Sequence, residues 1–158
     1  MEVEGEQVTL PPAYGSPTTR LSWAEVERRL EQSPAYWLVT TRPDGRAHAV
    51  PVDGIWADGT GLFGGSPETV HIRNLQRDQR AVLHTESAQS PVIVEGVAEW
   101  WVPSADEAAG LAKASQAKYG YVASPHSYRQ GVWRLWPRRV LAWTVLYEDA
   151  TRFTFAER

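Results

Sequence analysis

The chain has 158 residues, 42% hydrophobic and 22% charged, with 16 basic against 19 acidic side chains. That balance suits one globular domain and excludes a disordered chain, and the slight acidic excess disfavours nucleic acid as a partner. Cysteine is absent, which excludes disulfide frameworks, thiolate metal sites and cysteine nucleophiles.

Residues 1–20 carry Pro11, Pro12, Gly15 and Pro17 and read as a loose lead-in arm before a single domain over residues 21–158. The start, Met1 to Glu6, is acidic and has neither the cationic opening nor the apolar run of a signal peptide. No apolar stretch nears the ~20 residues of a membrane-spanning helix. The expectation is a cytoplasmic protein that makes no membrane contact.

Ser22 and Glu25 have capping-box spacing, Leu21 can staple onto Val26, and Trp23, Val26 and Leu30 fall on one helical face. Pro34 ends that helix. Tyr36 to Thr41 is β-branched and aromatic, so a strand, and Arg42-Pro43-Asp44-Gly45 is a turn. Arg46 to Val52 returns as a second strand, with Pro51 at an edge or a bulge, and Ile55-Trp56 continues it. Asp58 to Gly61 turns into a short third strand, Leu62 to Gly64. Ser66 then suits a helix cap and Pro67 the first helical position, with the helix running to about Gln76.

Arg80 to Thr85 and Pro91 to Val102 read as strands, the latter bent at Gly96. Ser104 and Glu107 form a second capping-box pair and open an Ala-rich helix to about Tyr119, with Gly120 in the C-cap place. After a loop, Gly131 to Tyr147 gives strands interrupted at Pro137, and Arg152 to Phe155 closes the chain as a short strand. Short strands joined by hairpins, with few helices, point to a closed antiparallel barrel.

Three groups of residues can carry chemistry. Gly64-Gly65-Ser66-Pro67-Glu68-Thr69 runs into a helix, where small residues admit a ligand to the backbone and unpaired N–H groups favour an anion, with His71 and Arg73 supplying charge. An ordinary capped strand-to-helix turn reads the same way. His48 to Val52 can present a strand edge to a flat ring, or be a plain surface strand. Arg129, Trp133, Arg134, Trp136, Arg138, Arg139 and Trp143 mix the two residue types favoured at interfaces, or are a strand with solvated arginines. No hydrolase nucleophile elbow, zinc-protease helix or phosphate-binding Walker loop occurs, and His48, His71, His84 and His126 lack metal-ligand spacing.

Tyr36 through Val52, Arg73-Asn74-Leu75 with Asp78, Val94 to Glu99, Lys118-Tyr119-Gly120 and Ala150 to Phe155 together resemble the pyridoxamine 5′-phosphate oxidase-like split barrels. The likeness is strongest to their actinobacterial flavin- and deazaflavin-dependent oxidoreductase branch, and it covers residues 21–155. The resemblance implies a mainly β fold with peripheral helices, a six-stranded antiparallel split β-barrel. It also implies a homodimer with coenzyme F-420 or FMN at the subunit interface and a small-molecule substrate. On that resemblance His48, Val50, Pro51 and Val52 lie along the cofactor ring. Gly64, Ser66, Thr69, His71, Arg73 and Asn74 hold its phosphate, and residues from Trp133 to Trp143 of the partner close the site. One departure stands out. The family usually places Ser or Thr followed by Arg and Lys at the helix start, and here those places hold Thr69, Val70 and His71. A charge-assisted hydrogen bond to phosphate is worth ~1.5–3 kcal/mol, so each missing cation weakens the anchor by about that much. A non-catalytic barrel that binds a flat or amphipathic ligand is therefore the rival reading, and a true pyridoxamine phosphate oxidase the third.

Overall fold

The computed structural model describes residues 3–120 and 124–157. Its strands are β1 (Gly5–Gln7), β2 (Tyr36–Thr41), β3 (Ala47–Val52), β4 (Gly54–Ala57), β5 (Thr60–Phe63), β6 (Arg80–Thr85), β7 (Val92–Trp101), β8 (Val132–Ala142) and β9 (Thr151–Thr154). The helices are α1 (Trp23–Gln32), α2 (Val70–Arg77), α3 (Ala105–Tyr119), α4 (Pro125–Arg129) and α5 (Leu146–Asp149). All strand pairs are antiparallel.

The order β3-β2-β6-β7-β8 continues on β8 in two directions, to β5 and β4 along one half and to β9 and β1 along the other. β3 and β4 are consecutive in the chain and differ only by a bend at Asp53, so they count as one bent strand. With β2, β5, β6, β7 and β8 this makes the six strands of a split barrel, to which β9 and β1 add an extension. The lead-in arm is tied to the body: β1 pairs with β9, and Arg20 Nη1 donates to Gly5 O at 2.9 Å.

The register explains the core. Val50, Leu38, Leu83, Val94, Val140 and Phe153 stand opposite one another across β3, β2, β6, β7, β8 and β9. From Leu38 to Phe153 these side chains are 0–2% exposed. One residue further along each strand the neighbours are Pro51, Trp37, His84, Ile93 and Leu141, and this outer row is exposed or half-buried. Period-two alternation sets which row faces in.

Two local expectations are corrected. Helix α2 begins at Val70 with Thr69 as its N-cap, not at Ser66 and Pro67. Residues 66–69 instead form a turn in which Thr69 N–H and Oγ1 both donate to Ser66 O. Strand β8 is not interrupted at Pro137. Its partner there is Gly96, the register shifts beside that glycine, and the missing proline N–H falls at this bulge. A side chain at position 96 would put its Cβ 2.2 Å from Trp136 O, so the close approach requires glycine. The loop expected after Gly120 begins with residues 121–123, outside the described residues.

The seam between β3 and β4 is held by polar groups. Gly54 O accepts from Lys118 Nζ at 3.0 Å and from Tyr119 Oη at 2.7 Å, and Gly54 N–H donates to Tyr119 Oη at 2.9 Å. Lys118 Nζ also donates to Tyr36 Oη at 2.8 Å, and Tyr36 Oη donates to Leu30 O at 2.5 Å. The ammonium lies 4.3 Å from the Tyr36 ring centroid. Burial lowers the Lys118 pKa from its ordinary 10.5 to about 8, with nearby Asp53 opposing the shift. Burial pushes the Tyr36 phenol well above its ordinary value of 10.0.

These shifts set a pH window. Above about pH 8 the folded chain releases the Lys118 proton while the unfolded chain keeps it up to 10.5, so stability rises with pH. Above 10.0 unfolding lets Tyr36 ionise, which reverses the trend. The unfolding free energy in urea should climb between about pH 8 and 10 in the wild type, and the climb should vanish in Lys118→Met. Parallel profiles for the two proteins would show that the ammonium is not buried at this seam.

Candidate functional site

The bend at Asp53 opens a cleft of about 450 Å³. One wall is the end of β3 and the start of β4, with Pro51, Val52 and Gly54. The floor is Leu62, Phe63 and the exposed Gly64-Gly65 pair that follows β5. The far wall carries four hydroxyls, Ser115 and Tyr119 from α3 with Ser127 and Tyr128 from α4. Among the described lining residues, His71 and Asp53 are the only imidazole and carboxylate.

The amphipathic helix α2 sits across β2 and β3 and buries His71, Ile72, Asn74 and Leu75. His71 is 8% exposed, and its Nε2 lies 3.4 Å from Gly64 O. A Cβ at position 65 would come 2.5 Å from that nitrogen, so Gly65 is what admits the imidazole. At Gly64 the same test meets nothing within 4 Å, which leaves the backbone open to the cleft.

The ten residues singled out from the sequence divide in space. Pro51, Val52, Gly64 and His71 meet in the cleft. His48 and Val50 share the inward face of β3 with Val52, opposite Thr40 and Leu38. Val50 packs on the core. His48 Nδ1 is buried and has no hydrogen-bond partner among the described residues. Burial lowers the His48 pKa, and the neighbouring Arg42 and His71 lower it further. Ser66 and Thr69 are used within their own turn, since Glu68 N–H donates to Ser66 Oγ and Thr69 Oγ1 to Ser66 O.

Arg73 and Asn74 lie elsewhere. Both border a second hollow of about 370 Å³ with Arg42, Asp44 and Arg46 of the β2–β3 hairpin. Asn74 is 3% exposed and donates from Nδ2 to Thr40 Oγ1 at 3.0 Å, so it fastens α2 to β2. Arg46 pairs with Asp44 at 2.7 Å in the same hairpin, where the Arg46 backbone and side chain hold the Asp44 carboxyl below its ordinary range.

Trp133, Arg134, Arg138 and Arg139 of the late Arg and Trp cluster are occupied within the chain. Trp133 is 5% exposed, Arg134 stacks 3.9 Å from the Trp101 centroid, Arg138 Nη1 donates to Ala156 O at 2.9 Å and Arg139 pairs with Glu95 at 2.7 Å. Sequence reasoning missed the hydroxyl wall. Lys118 and Tyr119 entered only through the resemblance, because nothing local ties a helix C-terminus to a bend about 65 residues upstream.

The site's chemistry fits a planar group carrying an anionic end. Pro51 and Val52, the open Gly64 backbone and His71 meet in the cleft, and the unpartnered His48 nitrogen lies further back on β3, while no three-ligand metal cluster occurs among the described residues.

A family model described as pyridoxamine 5′-phosphate oxidase matches residues 22–144. No curated protein matches the chain. Among solved structures it is similar to a heme binding protein from Mycobacterium smegmatis, at 29% identity and a TM-score of 0.63, covering 87% of this chain and 60% of that one. It is also similar to the FAD binding protein from Mycobacterium smegmatis, at 22% identity and a TM-score of 0.55, covering 87% of this chain and all of that one, 100%. An F-420 reductase is a third, at 21% identity and a TM-score of 0.54, covering 70% of this chain and 91% of that one. The last two likenesses are of fold. The family match spans most of the chain, including the barrel and both walls of the cleft: this protein belongs to the pyridoxamine 5′-phosphate oxidase family.

Proposed function

We propose that the chain is an oxidoreductase that binds coenzyme F-420 or FMN along β3 and passes a hydride to or from a small conjugated substrate. The observation that carries this reading is the convergence of Pro51 and Val52 at the β3 end, the open Gly64 backbone and His71 in one cleft, with the orphaned His48 Nδ1 further back on the same strand. Family membership supports it. When bound, the ring supplies hydride transfer, chemistry that no side chain here can perform alone. On this reading Pro51 and the free edge of β3 lie against the ring. Gly64 lets the cofactor approach the backbone, and His71 contributes a donor near the phosphate. The hydroxyls of Ser115, Tyr119, Ser127 and Tyr128 serve the polar chain.

The second reading, a barrel that binds a flat ligand without catalysis, draws on Val70 and His71 standing where two cations are usual, and on the similarity to a heme binding protein. Fluorescence titration of the purified protein with FMN and with coenzyme F-420 separates the two. We expect saturable binding to one of them below ~10 μM. Absence of binding to both would transfer the assignment to the second reading.

A cation restored at position 71 should strengthen phosphate capture. His71→Lys should tighten the bound cofactor about tenfold, the equivalent of one charge-assisted hydrogen bond. Unchanged affinity in a correctly folded variant would place the phosphate away from α2.

The same reading includes a homodimer. Trp37 is 40% exposed, and Ala47, Ala49, Pro51, Val39, Val82 and Ile93 surround it on the outer face of β3, β2, β6 and β7. A lone barrel would leave this face wet. Trp37→Glu should convert the dimer to a folded monomer in sedimentation analysis and weaken cofactor binding with it. A wild-type protein already monomeric at ~100 μM, far above ordinary dimer dissociation constants, would remove the dimer from the proposal.

A further inference from the structure

We propose that a further cleft, beside α1, binds a small organic cation with an apolar body. The cleft holds about 580 Å³ and shares no lining residue with the one described above. It is framed by the start of the arm, by Trp23 and Glu27 of α1, by the tip of the β4–β5 hairpin at Asp58-Gly59, by the bulged turn of β8 and by the end of β9.

Its walls combine two features that suit one class of ligand. Trp23, Trp136 and Phe155 supply aromatic surface, each half-buried. Trp23 and Phe155 meet edge to face, with centroids 5.0 Å apart. The Trp136 ring already holds one cation, the Arg134 guanidinium 4.8 Å from its centroid. Glu4, Glu27 and Asp58 supply carboxylates, against one cation, Arg138, whose Nη1 is engaged by Ala156 O.

Two of the three carboxylates are not spent on the protein's own cations. Glu4 makes only a 3.5 Å pair with Arg20, both highly exposed. Among the described residues, neither Glu27 nor Asp58 has an ion-pair partner. Trp56 Nε1 donates to Glu27 Oε1 at 3.2 Å and fixes that carboxylate at the cleft. An inorganic cation does not match: the space is far too large for one ion, and no cluster of three His, Cys, Asp or Glu ligands is found among the described residues. An ammonium or quaternary ammonium group attached to an apolar body uses both the charge and the rings.

The test uses the full chain labelled with ¹⁵N, with indole and backbone amide resonances followed during titration with benzyltrimethylammonium. Its neutral isostere, neopentylbenzene, is the control. The expected result is saturable shifts at the Trp23 and Trp136 indoles, with a dissociation constant of about 1 mM or below. The double variant Glu27→Gln/Asp58→Asn should bind about tenfold more weakly, since two carboxylates are neutralised while the Trp56 hydrogen bond keeps an acceptor. If the double variant misfolds, Asp58→Asn alone, at an exposed turn with φ of 50°, should show a smaller loss in the same direction. An equal response to the isostere, undiminished binding by the folded variants, shifts confined to the His71 side or no shift at all would overturn the proposal.

Discussion

One carbonyl and one amide, both of Gly54, decide how the barrel closes. The chain leaves the edge strand β3 at Asp53 and must re-enter the sheet on the far side as β4, paired with β5 and through it with β8. A bend inside a barrel wall strips the backbone of ladder partners, and buried backbone groups without partners are costly. Tyr119 and Lys118 meet that requirement from the last turn of α3. Tyr36 supplies the oxygen that keeps the ammonium in place and donates its own proton to Leu30 O. A Cβ at position 54 would lie 2.9 Å from Leu62 O and 3.0 Å from the Tyr36 ring, so the same residue must also be small. Helices α1 and α3 thus converge on one peptide unit, and the main cleft is the space this convergence leaves between the bend and α4.

The polar character of that cleft follows from the same geometry. Helix α3 presents Ser115 and Tyr119 on the side that faces the bend, because they lie four residues apart and share a helical face. Helix α2 places His71 on the opposite side and turns Arg73, two residues further along the chain, towards the β2–β3 hairpin. A two-residue step on a helix changes the face, so His71 borders the main cleft and Arg73 the hollow beside the hairpin. Whatever occupies the cleft therefore meets hydroxyls, one imidazole and open backbone before it meets a guanidinium.

Much of the fold was legible in the chain. Ser104 and Glu107 form the complete capping box that their spacing announces, and Ser22 receives the Glu25 N–H. Gly45 and Gly120 adopt the positive φ that turn and C-cap positions require. Gly96 marks the bulge, and Pro51 lies on the edge strand. The two misreadings have different causes. Ser66-Pro67 carries a sound local helix signal, yet the turn through Thr69 spends those groups before the helix begins. Pro137 looks like a strand breaker until Gly96 is set opposite it, and Gly96 lies far away in sequence. For the site, the residues of β3 and of the β5–α2 connection could be found because they are close in the chain and patterned. The wall from α3 and α4 could not, because its serines and tyrosines carry no spacing that points across the barrel.

The edge strand ties the proposed ligand to the proposed assembly. Among the described residues β3 pairs only with β2, so its other edge carries backbone groups outside any ladder, and its outward residues Ala47, Ala49 and Pro51 are small and exposed. Natural sheets protect such an edge with charge, proline, a bulge or a cover. Here Pro51 blunts it at one end, and a planar ring lying along β3 would cover the rest. The adjoining face, centred on the exposed Trp37, is the one assigned above to the proposed second protomer. Two surfaces that share one strand cannot be filled independently, since a partner seated on the Trp37 row shapes the space beside Pro51. If both proposals hold, ligand affinity and protomer concentration are linked quantities, each stabilising the state that the other prefers.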